Sequence, residues 1–439
     1  MKNFFSSLKK ASSIPALRKK ILYTLFFVAI YRLGNLFILP WINAVKFFEG
    51  QEKAKMNFWD SLLGTSLGTS SIFSLGIAPY ISASIIIQLA GFVLPYFQRL
   101  QQEGMTGRAK LGRITRYFAV VMAIIQATLQ VRSIDKEYLL IANNGSYLWF
   151  YIVSVILMTA GSVISIWLAD LITEKGLGNG TSILIMAGII SRLAPALITE
   201  VREQRGFMLL IELLVFTAIV LGTIIFMQGV RKIGLQYARQ MTSMYSYGEG
   251  RQYLPIKINA TGVMPIIFAS VFVGFVKFCA KFLHEKVDWA FAGKVKNVFE
   301  DIHGWKFNVA KAVLIFLGTI MYAAVFINPV KIANELKQSN GFISGIKPGR
   351  PAAQYIDKVM SRILLPGALF LAIVALLPAV VYWEGNGLVK TAEFSQFYGG
   401  TSMLIIIGVI IEMVQQVEGH LNMVYYDSIL QEKEHLPNL

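Results

Sequence analysis

Residues 57–71 read NFWDSLLGTSLGTSS, and residues 76–89 read GIAPYISASIIIQL. The first stretch is too short and too rich in Gly, Ser and Thr to cross a bilayer, yet it runs directly into an apolar segment that can. The pair describes a half-inserted helix ahead of a full span. Lipid offers no hydrogen-bond partners to irregular backbone, so such a segment is tolerated only where protein or a water-filled cavity surrounds it. The juxtaposition predicts a polytopic membrane protein with a cavity inside it.

Composition agrees. The 439 residues are 55% hydrophobic and 15% charged, outside the range of ordinary soluble domains. An α-helix needs about 20 apolar residues to cross about 30 Å of hydrocarbon. Ten runs of this kind lie near residues 21–39, 76–97, 114–132, 147–169, 182–198, 207–229, 258–278, 308–328, 363–383 and 400–420. The basic stretch 1–20 precedes the first run as it would in a signal peptide. No small-residue cleavage site follows, however, and Arg32 interrupts the run, so 21–39 is expected to be a retained span.

Ten spans put both termini on one side. That side carries 24 of the 41 Lys and Arg residues against 15 on the other, which places both termini in the cytosol. The net charge of +16 is met largely by positive-inside loops and contact with anionic lipid, and requires no nucleic-acid partner. Five spans on either side of residue 205 force the second half to run inverted relative to the first. The expected organisation is a cytosolic N-terminal segment 1–20, a first five-helix half 21–205, a second five-helix half 206–420 with cytosolic loops 230–257 and 329–362, and a cytosolic tail 421–439. No soluble domain is expected.

Several motifs suggest chemistry without its context. Gly64-Thr65-Ser66-Leu67-Gly68 matches the nucleophile-elbow pattern but lacks the strand-to-helix setting and the downstream acid and base. Gly176-Leu177-Gly178-Asn179-Gly180 resembles a phosphate loop but follows a membrane span and lacks the lysine such loops use. The histidines His284, His303, His420 and His435 form no metal or triad pattern, and Cys279 is the only cysteine. Charges inside the spans, Arg32, Arg192, Glu212 and Glu412, make no catalytic pair. No catalytic residue, metal or cofactor is expected.

The segment 76–89, with its Pro-Tyr-Ile-Ser-Ala-Ser core, closely resembles the second transmembrane helix of the SecY family of protein translocation channels. TEKGLGNGTS at 173–182, LPIKINATGVMPIIFAS at 254–270, YIDKVMSR at 355–362 and GGTS at 399–402 agree in the same order. So do EGMTGRAKLGRITRY at 103–117 and FINP at 326–329, and the resemblance covers the whole membrane region.

The resemblance implies an all-α protein of ten transmembrane helices, two inverted five-helix halves forming a clamshell around an hourglass pore that also opens sideways to lipid. The family's apolar pore ring falls here on Ile77, Ile81, Thr181, Ile185, Ile267 and Ile405. A narrow apolar ring strips hydration from small ions yet deforms around an extended peptide. Thr181 departs from the aliphatic residue usual in its slot, and its hydroxyl is expected to make the ring wetter. The polar stretch 57–71 corresponds to the plug, with Asn57, Leu62, Leu63, Gly64, Thr65, Ser66, Leu67 and Gly68 at its centre. The lateral gate would bring Ser82, Ile85 and Gln88 of the second span against Asn259, Val271 and Phe275 of the seventh, where Gln88 and Asn259 could hydrogen-bond.

No nucleotide site is visible, so the resemblance implies an external drive, either a SecA-type ATPase motor or a translating ribosome. Both would dock on basic cytosolic loops through Arg239, Arg251, Lys257, Lys347 and Arg350; Lys347 stands where the family usually has Arg. Small SecE-like and SecG-like membrane subunits, signal peptides, unfolded preproteins and membrane lipids complete the expected partners, in a bacterial cytoplasmic membrane. The competing class is a secondary transporter of small solutes, which shares inverted repeats and broken helices. It would need polar ligands at mid-membrane, where this chain has mainly isoleucines.

Overall fold

The computed structural model of the chain describes residues 14–43, 71–132, 134, 144–203, 207–237, 253–258, 267, 304–326, 328–382 and 387–434. Nine of the ten expected runs carry helix: α1 Pro15–Gly34, α2 Ala78–Val93 with α3 Pro95–Gln102, α4 Gly104–Arg132, α5 Asn144–Lys175, α6 Gly180–Glu203, α7 Phe207–Met227, α8 Trp305–Phe326, α10 Arg350–Tyr382 and α12 Gly400–Glu434. The seventh run lies outside the described residues except for Ile258 and a helical Ile267. Among the described residues, seven helices are long and apolar enough to cross a membrane, or eight when α2 and α3 count as one broken span. The break falls at Leu94, extended at φ −103° and ψ 117°, because Pro95 disfavours helical geometry in the residue before it.

The chain divides into two compact units, residues 1–195 with 409–439, and residues 196–408; the boundaries fall inside α6 and α12. In the first unit α4 packs on α2 and α5, and α1 packs on α5. The buried face of α4 is Thr115, Ala119, Ala123, Ala127 and Val131, one residue every four, while Tyr117, Val121, Ile124, Ile125 and Leu129 are exposed. Lipid is as apolar as leucine, so small residues that admit close backbone approach hold membrane helices together.

In the second unit α8, the short helices α9 Pro329–Gln338 and α11 Ala392–Ser395 all pack on α10. A three-stranded antiparallel sheet, which the sequence reading had as cytosolic loop, joins them. Strands β1 Val230–Tyr237, β2 Tyr253–Lys257 and β3 Gly341–Ile343 lie in the order β2-β1-β3, with Ile233 opposite Leu254 and Leu235 opposite Ile343. Their inward residues Ile233, Ile256 and Ile343 meet Ala333 of α9 and Ala352, Ala353 and Ile356 of α10 in one core. The first turns of α10 therefore belong to this small cap, in a stretch expected as loop. The FINP stretch builds its corner: the Asn328 side chain accepts from the amides of Val330 at 3.1 Å and Lys331 at 3.2 Å, and Pro329 opens α9. Asparagine at the cap and proline at the first helical position suit the unpaired amides of a helix start.

Candidate functional site

Five of the positions expected to form the ring, Ile77, Ile81, Thr181, Ile185 and Ile405, sit at helix beginnings. Ile77 is the residue before α2 and is 3% exposed, with Ile81 one turn on. Thr181 and Ile185 occupy the first turns of α6, and Ile405 lies in the second turn of α12. Ile185 and Ile405 are buried, whereas Ile81, Thr181 and Ile267 are half-buried.

Polar bonds that the sequence reading missed fix these beginnings. Ser162 of α5 donates to the Gly76 carbonyl at 3.0 Å, directly before Ile77. The amide of Ile72 donates to the Phe37 carbonyl at 2.9 Å, and Ile38 bridges to Ser71, tying the approach to α2 onto the chain after α1.

Ahead of α6 the turn 176–179 and the first residue of α6 are held by three helices. The Leu177 amide donates to Thr24 of α1 at 2.9 Å, the Gly178 amide to Gln416 of α12 at 2.8 Å, and the Gly180 amide to Thr173 of α5 at 2.9 Å. The Gly176 amide closes on the Ile172 carbonyl at 2.8 Å. Four amides of the glycine-rich stretch are thus aimed at protein acceptors, which answers its likeness to a phosphate loop. Glycine is required at 180, where a Cβ would stand 1.9 Å from the Ala169 carbonyl oxygen.

Thr181 is resolved in the same way. Its amide donates to Asn179 Oδ1 at 3.1 Å and its hydroxyl to the same oxygen at 2.6 Å, so Asn179 caps α6. The hydroxyl proton is engaged in the cap.

Of the α2 residues expected at the gate, Ser82 and Ile85 are 4% and 6% exposed. Ser82 donates to the Ala78 carbonyl at 3.1 Å and accepts from Gln126 of α4 at 3.2 Å. Gln88 donates to Ser84, one turn back, at 3.1 Å. Asn259, Val271 and Phe275, the plug positions Asn57 to Gly68, and Arg239 and Arg251 lie outside the described residues.

The small cap carries the remaining residues expected to dock partners. Lys257, Lys347 and Arg350 are exposed, as are Arg231 and Lys232, and the Lys232 ammonium lies 4.5 Å from the Tyr253 ring centre. Of the intramembrane charges, Arg32 donates to the Ala187 carbonyl of α6, Glu212 is fully buried, and Glu412 is exposed. Among the described residues no group of His, Cys, Asp and Glu could hold a metal ion.

This arrangement has counterparts among known proteins. A family model described as SecY matches residues 71–414. The protein translocase subunit SecY of Corynebacterium glutamicum is 33% identical over 440 residues, covering 97% of this chain and 100% of that protein. A solved structure reporting that the plug domain of the SecY protein stabilises the closed state of the translocation channel and maintains a membrane seal aligns with a TM-score of 0.61, at 14% identity and 91% of each chain. Sec61 in the canine ribosome-channel complex from the endoplasmic reticulum aligns at 0.59, with 15% identity and 91% of each chain.

Proposed function

Since the chain belongs to the SecY family of multi-pass membrane proteins, we propose that it is a channel that translocates unfolded preproteins across the bacterial cytoplasmic membrane and releases transmembrane segments sideways into lipid. The observation that carries this reading is the family match over residues 71–414, a span that contains all six ring positions, five of them isoleucines.

Ile77, Ile81, Thr181, Ile185, Ile267 and Ile405 form the seal, and the stretch 57–71 rests against it as the plug. Isoleucine side chains give a desolvated ion nothing in place of its water, so the ring excludes ions by the cost of burying charge. A translocating peptide brings apolar contacts of its own. The same chemistry disfavours the solute-transporter reading, because such side chains bind neither solute nor coupling ion. The gate pairs Ser82, Ile85 and Gln88 with Asn259, Val271 and Phe275. Through it lipid sorts passing segments, since a charge at mid-helix costs about 2.5–3.5 kcal/mol there.

The termini face the cytosol, as do the cap and its exposed Lys257, Lys347 and Arg350. That basic surface suits ribosomal RNA or an acidic face of a SecA-type motor, and the Sec61 relative is recorded in a ribosome complex. Two inverted five-helix halves, 21–205 and 206–420, braced by SecE-like and SecG-like subunits, make the assembly.

The test is ATP-dependent protection of a signal-bearing preprotein in vesicles holding the chain, its small subunits and a motor. Wild type is expected to protect the preprotein. The variant Ser82→Cys/Phe275→Cys is expected to lose protection on oxidation and to regain it on reduction. Uptake of a small solute with no protected preprotein would replace the channel by a transporter.

A further inference from the structure

A buried carboxylate in the second unit lies outside the ring, the gate and the docking surface. Glu200, in the last turn of α6, is 1% exposed. Its Oε1 accepts from the Lys390 amide at 2.8 Å, and its Oε2 accepts from the Thr391 amide at 2.8 Å and from the Thr391 hydroxyl. A buried carboxylate is costly unless its oxygens are fully met, and here three donors meet them. Thr391 stands at the cap of α11, yet its side chain makes no cap hydrogen bond there. The hydroxyl serves Glu200 instead.

The fixed segment leads straight into α12. Residues 397–405 are all buried. The Tyr398 hydroxyl donates to the Glu212 carbonyl of α7 at 2.8 Å. The rings of Phe216, Phe394 and Tyr398 lie 5.2–5.8 Å apart, centre to centre. A Cβ at Gly399 would come within 2.3 Å of the Val374 carbonyl oxygen, so the chain passes tightly over α10. Gly400, at φ +63°, then opens α12, and Ile405 follows five residues later.

We propose that Glu200 is a positioning residue for the channel: by fastening residues 390–391 it sets the first turns of α12 and with them the ring position Ile405. The proposal rests on the channel reading above. Glutamine at 200 conserves volume but presents an N–H₂ to donors, so at least one of the three bonds is lost. The loosened segment lets Ile405 leave its place in the resting seal.

The experiment measures resting anion flux per assembled channel in vesicles for wild type, Glu200→Gln, Tyr398→Phe and Ile356→Ala, alongside thermal unfolding and preprotein protection. Ile356→Ala loosens the cytosolic cap without touching this segment. Losing a bond to a charged group predicts a flux about tenfold above wild type for Glu200→Gln, and a neutral bond about threefold for Tyr398→Phe, with Ile356→Ala unchanged. Thr391→Ala, which keeps both amide bonds, carries the same comparison should Glu200→Gln not assemble. Wild-type flux in the Glu200 and Thr391 variants, or an equal rise in Ile356→Ala, overturns the proposal and leaves the channel intact. Absence of preprotein protection in wild type instead overturns the channel reading itself.

Discussion

The small sheet-and-helix cap and the membrane helix α4 solve opposite problems with one chain. The cap turns Ile233, Ile256, Ile343 and Ile356 inward and leaves Lys232, Lys257 and Lys347 exposed. The helix turns Thr115, Ala119, Ala123 and Ala127 inward and leaves Ile124, Ile125 and Leu129 outside. In water the apolar side chain is driven into the core by the loss of exposed area. In lipid that drive vanishes, and closeness of approach with a few polar bonds, such as Gln126 to Ser82, decides what packs. Isoleucines therefore join alanines in the buried core of one region, whereas small residues dominate the buried face of the other.

Five substitutions break or sharpen this contrast. The largest effect is expected at Gly180, where any side chain meets the Ala169 backbone. Gly180→Leu should cost more than about 3 kcal/mol by overpacking, seen as loss of monodisperse protein in detergent. Ile356 is fully buried in the cap, and Ile356→Ala should cost about 2–5 kcal/mol. The loss should appear as protease sensitivity between residues 230 and 362 while the spans still insert. Ile124→Lys, on the exposed face of α4, should cost about 2.5–3.5 kcal/mol of insertion free energy, measurable in a membrane-insertion assay. The reverse change in the cap, Gln236→Ile on an exposed strand position, should shift stability by no more than about 0.5 kcal/mol. Equal costs for those last two would dissolve the contrast. A comparably small effect belongs to Thr181→Val, which removes one bond to Asn179. It should lower thermal stability by about 1 kcal/mol and leave ion flux unchanged, since the hydroxyl proton already serves the cap.

The spans were legible because hydrophobic length is a summed signal that tolerates local exceptions such as Arg32. The sheet was not. Its strands are eight, five and three residues long, and β1 reads VRKIGLQY, in which only Ile233 and Leu235 mark the buried face. The buried Ile233 of β1 depends on partners more than a hundred residues away in α10. The ring and gate positions came from the family resemblance, and isoleucine periodicity alone does not separate a pore from lipid. What fixes those positions, Ser162, Thr24, Thr173, Gln416 and Glu200, consists of single polar residues inside or beside apolar runs. Each looks like noise until the chain brings its acceptor or donor across as many as 238 residues. The glycine-rich stretch gave the one usable hint, because repeated glycine signals a backbone in close contact with something.

The bond from Gly178 to Gln416 also sets a schedule. Its two ends are 238 residues apart in sequence, and at a synthesis rate of about 5–20 residues per second the second end is made about 10–50 s after the first. Thr24 and Thr173 are already present when the loop emerges, so Leu177 and Gly180 can be tied at once. The Gly178 amide must wait for α12. The loop leading to Thr181 and Ile185 thus passes through a half-fastened stage in every nascent chain, and it closes only when the last span arrives.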